Sequence, residues 1–356
     1  MSWFTRLDRY IGSRVLYAML IVLTILLALF TFLEFIDELA NYGRGRYGLY
    51  ELLRYVVLNL PGRIYELFPP AVLLGGVLGL SGLALGSELT AMRAAGVSLF
   101  RIVGSAMKTG LVFVAISIAL GETLVPVSDA AAQRGRAEAM QVGLHRDVTG
   151  LWLRDHASFV NIGEVLPDST LLNVNIYGFD AQEQLRTQTF AKRARFEDPR
   201  WRLEEVSKSH IGPTGIRAQR SASAVWESGI TPDVVQIFAV RPESLSTIHL
   251  YEYIGHLQRN RQETARYELA FWHKVWLPAA TAVMLLLAVP AVFGQFRSSA
   301  MGPRVFLALL LGLAFSLLSR GFGYLALLYG LPPVLAASAP ILLFLVLALY
   351  LLRRVA

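Results

Sequence analysis

Residues 15–33 read VLYAMLIVLTILLALFTFL, an apolar run without a charge. At 1.5 Å of rise per residue, about nineteen residues let a helix cross roughly 30 Å of hydrocarbon. Glu34, Asp37 and Glu38 follow, where a secretory leader would offer small residues for cleavage, so the run is expected to stay as a membrane helix. Runs of the same kind recur. Leu67 to Leu85 is uncharged and opens with Pro69-Pro70, and before it Tyr47 to Leu60 reads as a short interfacial helix ended by Pro61-Gly62. Ile102 to Val125 is long enough to cross, with Lys108 and Glu122 near opposite ends where they can reach the interface. Val275 to Phe293 starts beside Trp272 and Trp276, residues suited to the membrane boundary. A fifth run extends from beyond Arg304 to Leu328, Gly330-Leu331-Pro332-Pro333 makes a tight turn, and Leu335 to Leu352 ends at Arg353-Arg354.

Composition agrees with a chain that meets two solvents. Hydrophobic residues make up 54% and charged ones 17% of the 356 residues, and the charge gathers in the middle third. There is no cysteine, which excludes a disulfide framework and a Cys-based metal site. The net charge of +7 is carried by arginines that flank apolar runs and form no single basic stripe, so no nucleic-acid partner is expected.

From about Ser128 to Arg266 the pattern changes. Ala130 to Met140 is helical and rich in Ala and charge. Phe159-Val160-Asn161-Ile162, Leu172-Asn173-Val174-Asn175-Ile176-Tyr177 and Trp201-Arg202-Leu203 then alternate with a period of two. Such alternation, broken by Gly, Pro and Asp, predicts antiparallel strands in an all-β sandwich or open barrel. The expected fold is therefore an α-helical membrane protein of six transmembrane helices, three and three around an inserted all-β domain. Residues 1–127 hold the first three helices, 128–266 the β-domain with flanking helices, and 267–356 the last three. Arg6, Arg9, Arg14, Arg93, Arg101, Lys108, Arg297, Arg304, Arg353 and Arg354 fall on one side if both termini are cytoplasmic, while the turn between the last two runs has no basic residue. The positive-inside rule then places the β-domain in the periplasm.

Enzyme signatures are missing. Gly104-Ser105-Ala106-Met107-Lys108-Thr109-Gly110 resembles a phosphate loop but has Met107 where Gly is required, and no strand precedes it. His145, His156, His210, His249, His256 and His273 form no metalloprotease pair, and there is no Gly-x-Ser-x-Gly elbow. A group-transferring membrane enzyme would need convergent acidic or His residues at the interface, and a secondary transporter broken spans or inverted repeats. Neither pattern is evident.

Three places remain. Ser87-Glu88-Leu89-Thr90-Ala91-Met92-Arg93-Ala94-Ala95-Gly96 reads as a short helix, with Ser87 able to cap it, Glu88 at its positive end and Gly96 as its stop. It is either an ordinary interfacial helix or a rigid docking helix for a cytosolic partner. Arg320 lies about 24 Å along a helix from Arg304, so it either snorkels to the outer interface or faces a cavity for an anionic headgroup. Arg134 and Arg136, just past the third span, are solvated or stand at the height of lipid phosphates.

Taken together, Leu7-Asp8-Arg9-Tyr10-Ile11-Gly12, the Ser87 to Gly96 segment, Gly121-Glu122, Phe293-Gly294, Arg297, Met301-Gly302 and Arg304 resemble the LptF/LptG permeases of lipopolysaccharide export, and the opening is more like the LptG side of that pair. The resemblance spans nearly the whole chain. It implies a non-hydrolysing inner-membrane permease with a periplasmic jellyroll that docks edge to edge in a periplasmic bridge. It also implies an LptF-like second permease, an LptB-like ATPase dimer that uses ATP and Mg, an LptC-like protein, and lipopolysaccharide as the lipid carried. No cofactor is expected on this chain itself. Glu88 matches the acidic position of the family's coupling helix, so Glu88, Leu89, Met92 and Arg93 are the expected ATPase contacts. Arg136 matches a basic position associated with the lipid, and Arg134, Arg136 and Arg320 are the expected headgroup residues. Some members carry Lys where this chain has Glu34, Asp37, Glu38, Ala40 and Asn41, a departure that shifts headgroup binding toward those arginines or divalent cations. The alternative is an ABC-type mechanotransmission protein, which would share the coupling helix while moving no substrate itself.

Overall fold

A computed structural model describes residues 5–140, 144–147, 150–155, 158–165, 169–180, 182, 184–197, 200–212, 215–230, 232, 235, 242–259, 264–293 and 301–355. Gly294 and Arg297 of the family-like motif lie outside these residues.

Among the described residues, six helices are long and apolar enough to cross a membrane. The first is α1 (Arg6–Leu39), and α2 (Leu49–Leu85) follows. After the short α3 (Glu88–Ala94), the chain runs as one rod through α4 (Leu99–Ala119), a π-helical stretch (Leu120–Leu124) and α5 (Val125–Ala139). Beyond the sheet come α6 (Thr247–Arg259), α7 (Ala265–Phe293), α8 (Met301–Tyr329) and α9 (Pro333–Val355).

Helix α2 corrects the reading of its region. No interfacial helix ends at Pro61; instead Pro61, Pro69 and Pro70 all lie inside one helix of 37 residues. Proline removes one backbone donor per site, and in lipid neighbouring helices can re-satisfy the freed carbonyls, so helices there tolerate it. Packing gives a further reason. Gly75 and Gly79, one turn apart, let α1 approach closely: a β-carbon at Gly79 would stand 2.9 Å from Val15 Cα, and one at Gly75 would overlap the Met19 backbone. Small residues at this spacing let two membrane helices bring their backbones together.

The chain divides into two compact units, one of residues 1–37, 56–129 and 242–356, the other of 38–55 and 130–241. The core of the first joins Ile11, Val15 and Met19 to Val72, Val77 and Leu80 of α2, Ile102 and Phe113 of α4, and Met284, Leu285 and Ala288 of α7. The second holds a seven-stranded antiparallel sheet, β1 (Leu144–Asp147), β2 (Gly150–Asp155), β3 (Ser158–Val165), β4 (Leu171–Phe179), β5 (Leu185–Glu197), β6 (Arg200–Gly212) and β7 (Gly215–Trp226), in sequential order. The expected all-β insertion is present. Register puts the inward residues of neighbouring strands side by side, as in Ile162 opposite Val174, Val174 opposite Ala191 and Ala194 opposite Leu203. Buried Trp201 anchors this core and donates its indole N–H to the Ile230 carbonyl at 2.7 Å.

Candidate functional site

Helix α3 forms where the sequence puts it, but its start differs from expectation. Ser87 does not cap it. Its φ of 57° and ψ of 10° are left-handed, and its hydroxyl makes no capping bond. A capping serine adopts an extended backbone that aims its oxygen at the next amides. Ser98, at φ −68° and ψ 154°, does so for α4 by accepting from the Arg101 amide. The far end behaves as expected: Gly96 takes φ +87°, its amide bonds the Arg93 carbonyl, and the Val97 amide bonds that of Met92. This is the glycine-terminated stop that closes many helices.

The four expected coupling residues separate by face. Leu89 is 2% exposed and Met92 is half-buried, both packed on the membrane core, so they seat the helix rather than offer it. Glu88 is half-exposed, and Arg93 is exposed along with Thr90, Ala91 and Ala94. Glu88 is also held from below, since the Tyr10 hydroxyl on α1 donates to its carboxylate at 2.6 Å. Arg14 donates to the Tyr10 oxygen at 3.3 Å and lies over its ring at 5.5 Å. The surface helix is thereby tied to the first membrane helix.

Beside this contact lies a cluster that the sequence reading did not assemble. Asp8 is fully buried and accepts from Ser105 Oγ at 2.5 Å, Lys108 Nζ at 2.7 Å and the Thr5 amide at 2.9 Å. Arg101 adds an ion pair at 3.5 Å. The first turn of α1 is so pinned to α4. The available signal was Lys108 itself: an ionisable residue within a span needs a partner, and here it is Asp8 rather than the interface.

At the opposite end of α1, Glu34 accepts from Asn59 at 2.7 Å and Arg63 at 3.0 Å; Arg63 also bonds Glu66 at 3.1 Å, and Glu66 receives Arg320 at 2.8 Å. Arg320 is exposed and ion-paired. Asn59, Arg63 and Glu66 share one face of α2 at helical spacing, a pattern hidden by reading a break at Pro61. In the second unit, Arg136 pairs with buried Glu38 at 2.7 Å and lies over the Tyr55 ring at 5.3 Å. Burial, with the Glu38 carboxylate beside it, pushes the Tyr47 hydroxyl well above its ordinary pKa. Arg134 is exposed and donates to the Ala130 carbonyl of its own helix. The acidic residues that depart from the family pattern thus meet basic partners from elsewhere in the chain, Glu34 with Arg63 and Glu38 with Arg136. Among the described residues, no group of three or more His, Cys, Asp or Glu side chains could hold a metal.

The comparisons fit this arrangement. The family described as lipopolysaccharide export system permease LptF/LptG matches residues 9–354. The chain is similar to the lipopolysaccharide export system permease protein LptG of Escherichia coli strain K12, at 36% identity over 99% of both chains. The protein of the same name from Haemophilus influenzae strain Rd is 34% identical over 98% of both. With six membrane-crossing helices, a β-domain inserted between the third and fourth, and a match over nearly its entire length, the chain belongs to the LptF/LptG family of lipopolysaccharide export permeases.

Proposed function

We propose that this chain is the LptG-type permease of an ABC exporter, taking lipopolysaccharide from the inner membrane toward a periplasmic bridge. Its partners in this reading are an LptF-like permease, an LptB-like ATPase dimer that binds ATP and Mg, and an LptC-like protein that receives the lipid. Both termini and α3 lie in the cytoplasm and the sheet in the periplasm, in keeping with the arginines at the α3 end. The observation that carries the reading is the Glu88–Tyr10 contact. A short, glycine-stopped helix exposes Arg93 to a partner while Glu88 hands its displacement directly to α1. A push on α3 then becomes a movement of a membrane helix.

Two helices are suited to the second permease and to acyl chains. In the apolar windows of α1 and α8 only 17% of residues are buried, against 72% in α2 and 61% in α7. The apolar faces left open by α1 and α8 suit a wall of the lipid cavity. Arg320 and Arg136 serve the phosphates by exchanging Glu66 and Glu38 for them, since a phosphate offers more acceptor oxygens than a carboxylate. Arg134, exposed on the same helix as Arg136, is a further candidate within the second unit.

Glu88→Ala in the assembled complex tests the coupling. The chain should still insert and assemble, while lipopolysaccharide delivery to the outer membrane stops; normal delivery would remove Glu88 from the mechanism. A photoreactive residue at position 320 separates this reading from pure mechanotransmission, because only a permease places lipid there to be crosslinked.

A further inference from the structure

The Gly121-Glu122 pair sits at an irregularity that the export reading leaves unused. Leu120–Leu124 is π-helical, between α4 and α5, and such insertions are frequent at functional positions. Glu122 lies within it, and its carboxylate reaches a residue far along the chain. It accepts the Thr247 backbone amide at 3.1 Å and the Thr247 hydroxyl through its other oxygen.

Thr247 is the first residue of α6, which connects the sheet back to the membrane. The first amides of a helix have no partner within it, and the positive end favours an anion. Ser246 supplies one partner locally, its hydroxyl accepting from the His249 amide. Glu122 supplies another from a different helix, with full charge. Two residues before Thr247, the Leu245 carbonyl accepts from Lys274 of α7. Residues 245–247 are therefore held by an acid from the third span and a base from the fourth. Both grips lie within the first unit.

We infer that Glu122 is a positioning residue, a latch that makes the helix leading into the β-domain and the segment returning from it move together. The chain enters the domain along α5 and returns through α6, so a displacement of α4 reaches both of its stalks only while Glu122 holds Thr247. Without the latch, α6 follows α7 alone, and movement produced at α3 reaches one stalk. The inference rests on the export reading only for its second readout.

The chain has no cysteine, so two introduced ones are its sole labelling sites, and the other subunits are used in cysteine-free form. Val127, just beyond the π stretch, and Ile248, beside Thr247, are 70% and 69% exposed and suit Val127→Cys and Ile248→Cys. In the purified complex, the label separation should be narrow and stay narrow when ATP is bound. Glu122→Ala should broaden it, Thr247→Val should broaden it less, and Glu122→Gln, which keeps an acceptor, should stay near the parent. An unchanged distribution in Glu122→Ala overturns the latch. In proteoliposomes, Glu122→Ala should retain ATP turnover yet export about tenfold less lipid per ATP, the scale of one lost charge-assisted hydrogen bond. Equal loss of both activities, or no loss of either, overturns the transmission role. If the parent complex exports no lipid at all, the export reading fails, and the label distances still decide the latch.

Discussion

The two halves of α1 are built from similar residues and used in opposite ways. From Asp8 to Leu23, every helical turn puts a side chain into the core: Asp8, Ile11, Val15, Met19, then Val22 and Leu23. From Thr24 to Asp37 none is fully buried, and Ile25, Leu29, Phe32 and Ile36 are 62%, 53%, 60% and 46% exposed. Leu and Ile occur in both halves, so an apolar residue alone does not say whether it is buried. What differs is the neighbour. The first half meets Gly75 and Gly79 of α2 and the charges of α4; among the described residues no glycine approaches the second half in this way, and Glu34 bonds from there to Asn59 and Arg63 of α2. In lipid, apolar area gives no preference for protein over solvent, so only close backbone approach and polar pairing hold a helix in place. A membrane helix can thus be fixed at one end and left for a partner or lipid at the other along one continuous apolar run.

That contrast can be broken by experiment. The largest effect is expected from Gly75→Leu, because a side chain there meets the Met19 backbone rather than a yielding rotamer. The membrane domain should fail to pack, read as loss of folded chain in detergent; a folded variant would mean that α1 is not fixed by this approach. Asp8→Ala comes next. It leaves Lys108 and Ser105 facing a buried gap, and removing one partner of a buried pair costs about 3 kcal/mol or more. Thermal unfolding in detergent should show a clear loss, and a double Asp8→Ala, Lys108→Ala chain should recover part of it. Ile25→Ala, in the open half, should change stability by less than about 0.5 kcal/mol. A large loss there would show the outer half to be as anchored as the inner.

The smallest effect sharpens the comparison through a second aspartate. Asp180 in the sheet unit accepts from the Gln182 and Gln184 amides at 2.9 Å each and from Arg186 at 2.7 Å, but its side chain is only partly buried, at 24% exposed. These donors hold its carboxyl below the ordinary carboxylate range. A lowered folded pKa means that its contribution is present above the unfolded value, about 3.9, and is lost as pH falls through the folded one. Asp180→Asn should lower the stability of the whole chain slightly at neutral pH, change it little below the folded pKa, and so flatten the acid limb of unfolding. Similar partners around Asp8 and Asp180 then give different effects because only Asp8 is removed from water entirely.

Much of this organisation was legible in the residues. Uncharged runs long enough to span located the first, second, fourth and sixth crossing helices, the apolar run around Arg320 located the fifth, and period-two alternation located β3, β4 and β6. Gly96 marked the stop of α3 correctly. What escaped depends on partners remote in sequence. Proline at 61 reads as a terminator locally, yet α2 continues because its neighbours in the membrane tolerate the missing donor. With α2 cut there, the Asn59, Arg63, Glu66 face could not be seen, nor could Arg63 be matched to Glu34. Ser87 has the right chemistry for a cap and the wrong backbone, which is set by how the chain leaves α2. Leu89 could be placed on α3, but only the packing shows that it faces the core.

The π-helical turn at Leu120–Leu124 also limits how this chain can vary in length. An α-helix turns each successive residue by about 100°, so deleting one residue there would act mainly as a rotation. The residues beyond it on the same helix would be turned by more than a quarter turn relative to α4. Loops in this protein can tolerate insertions and deletions, whereas at this point a single lost codon changes direction rather than size, and the gene is expected to keep its length there even where residue identities drift.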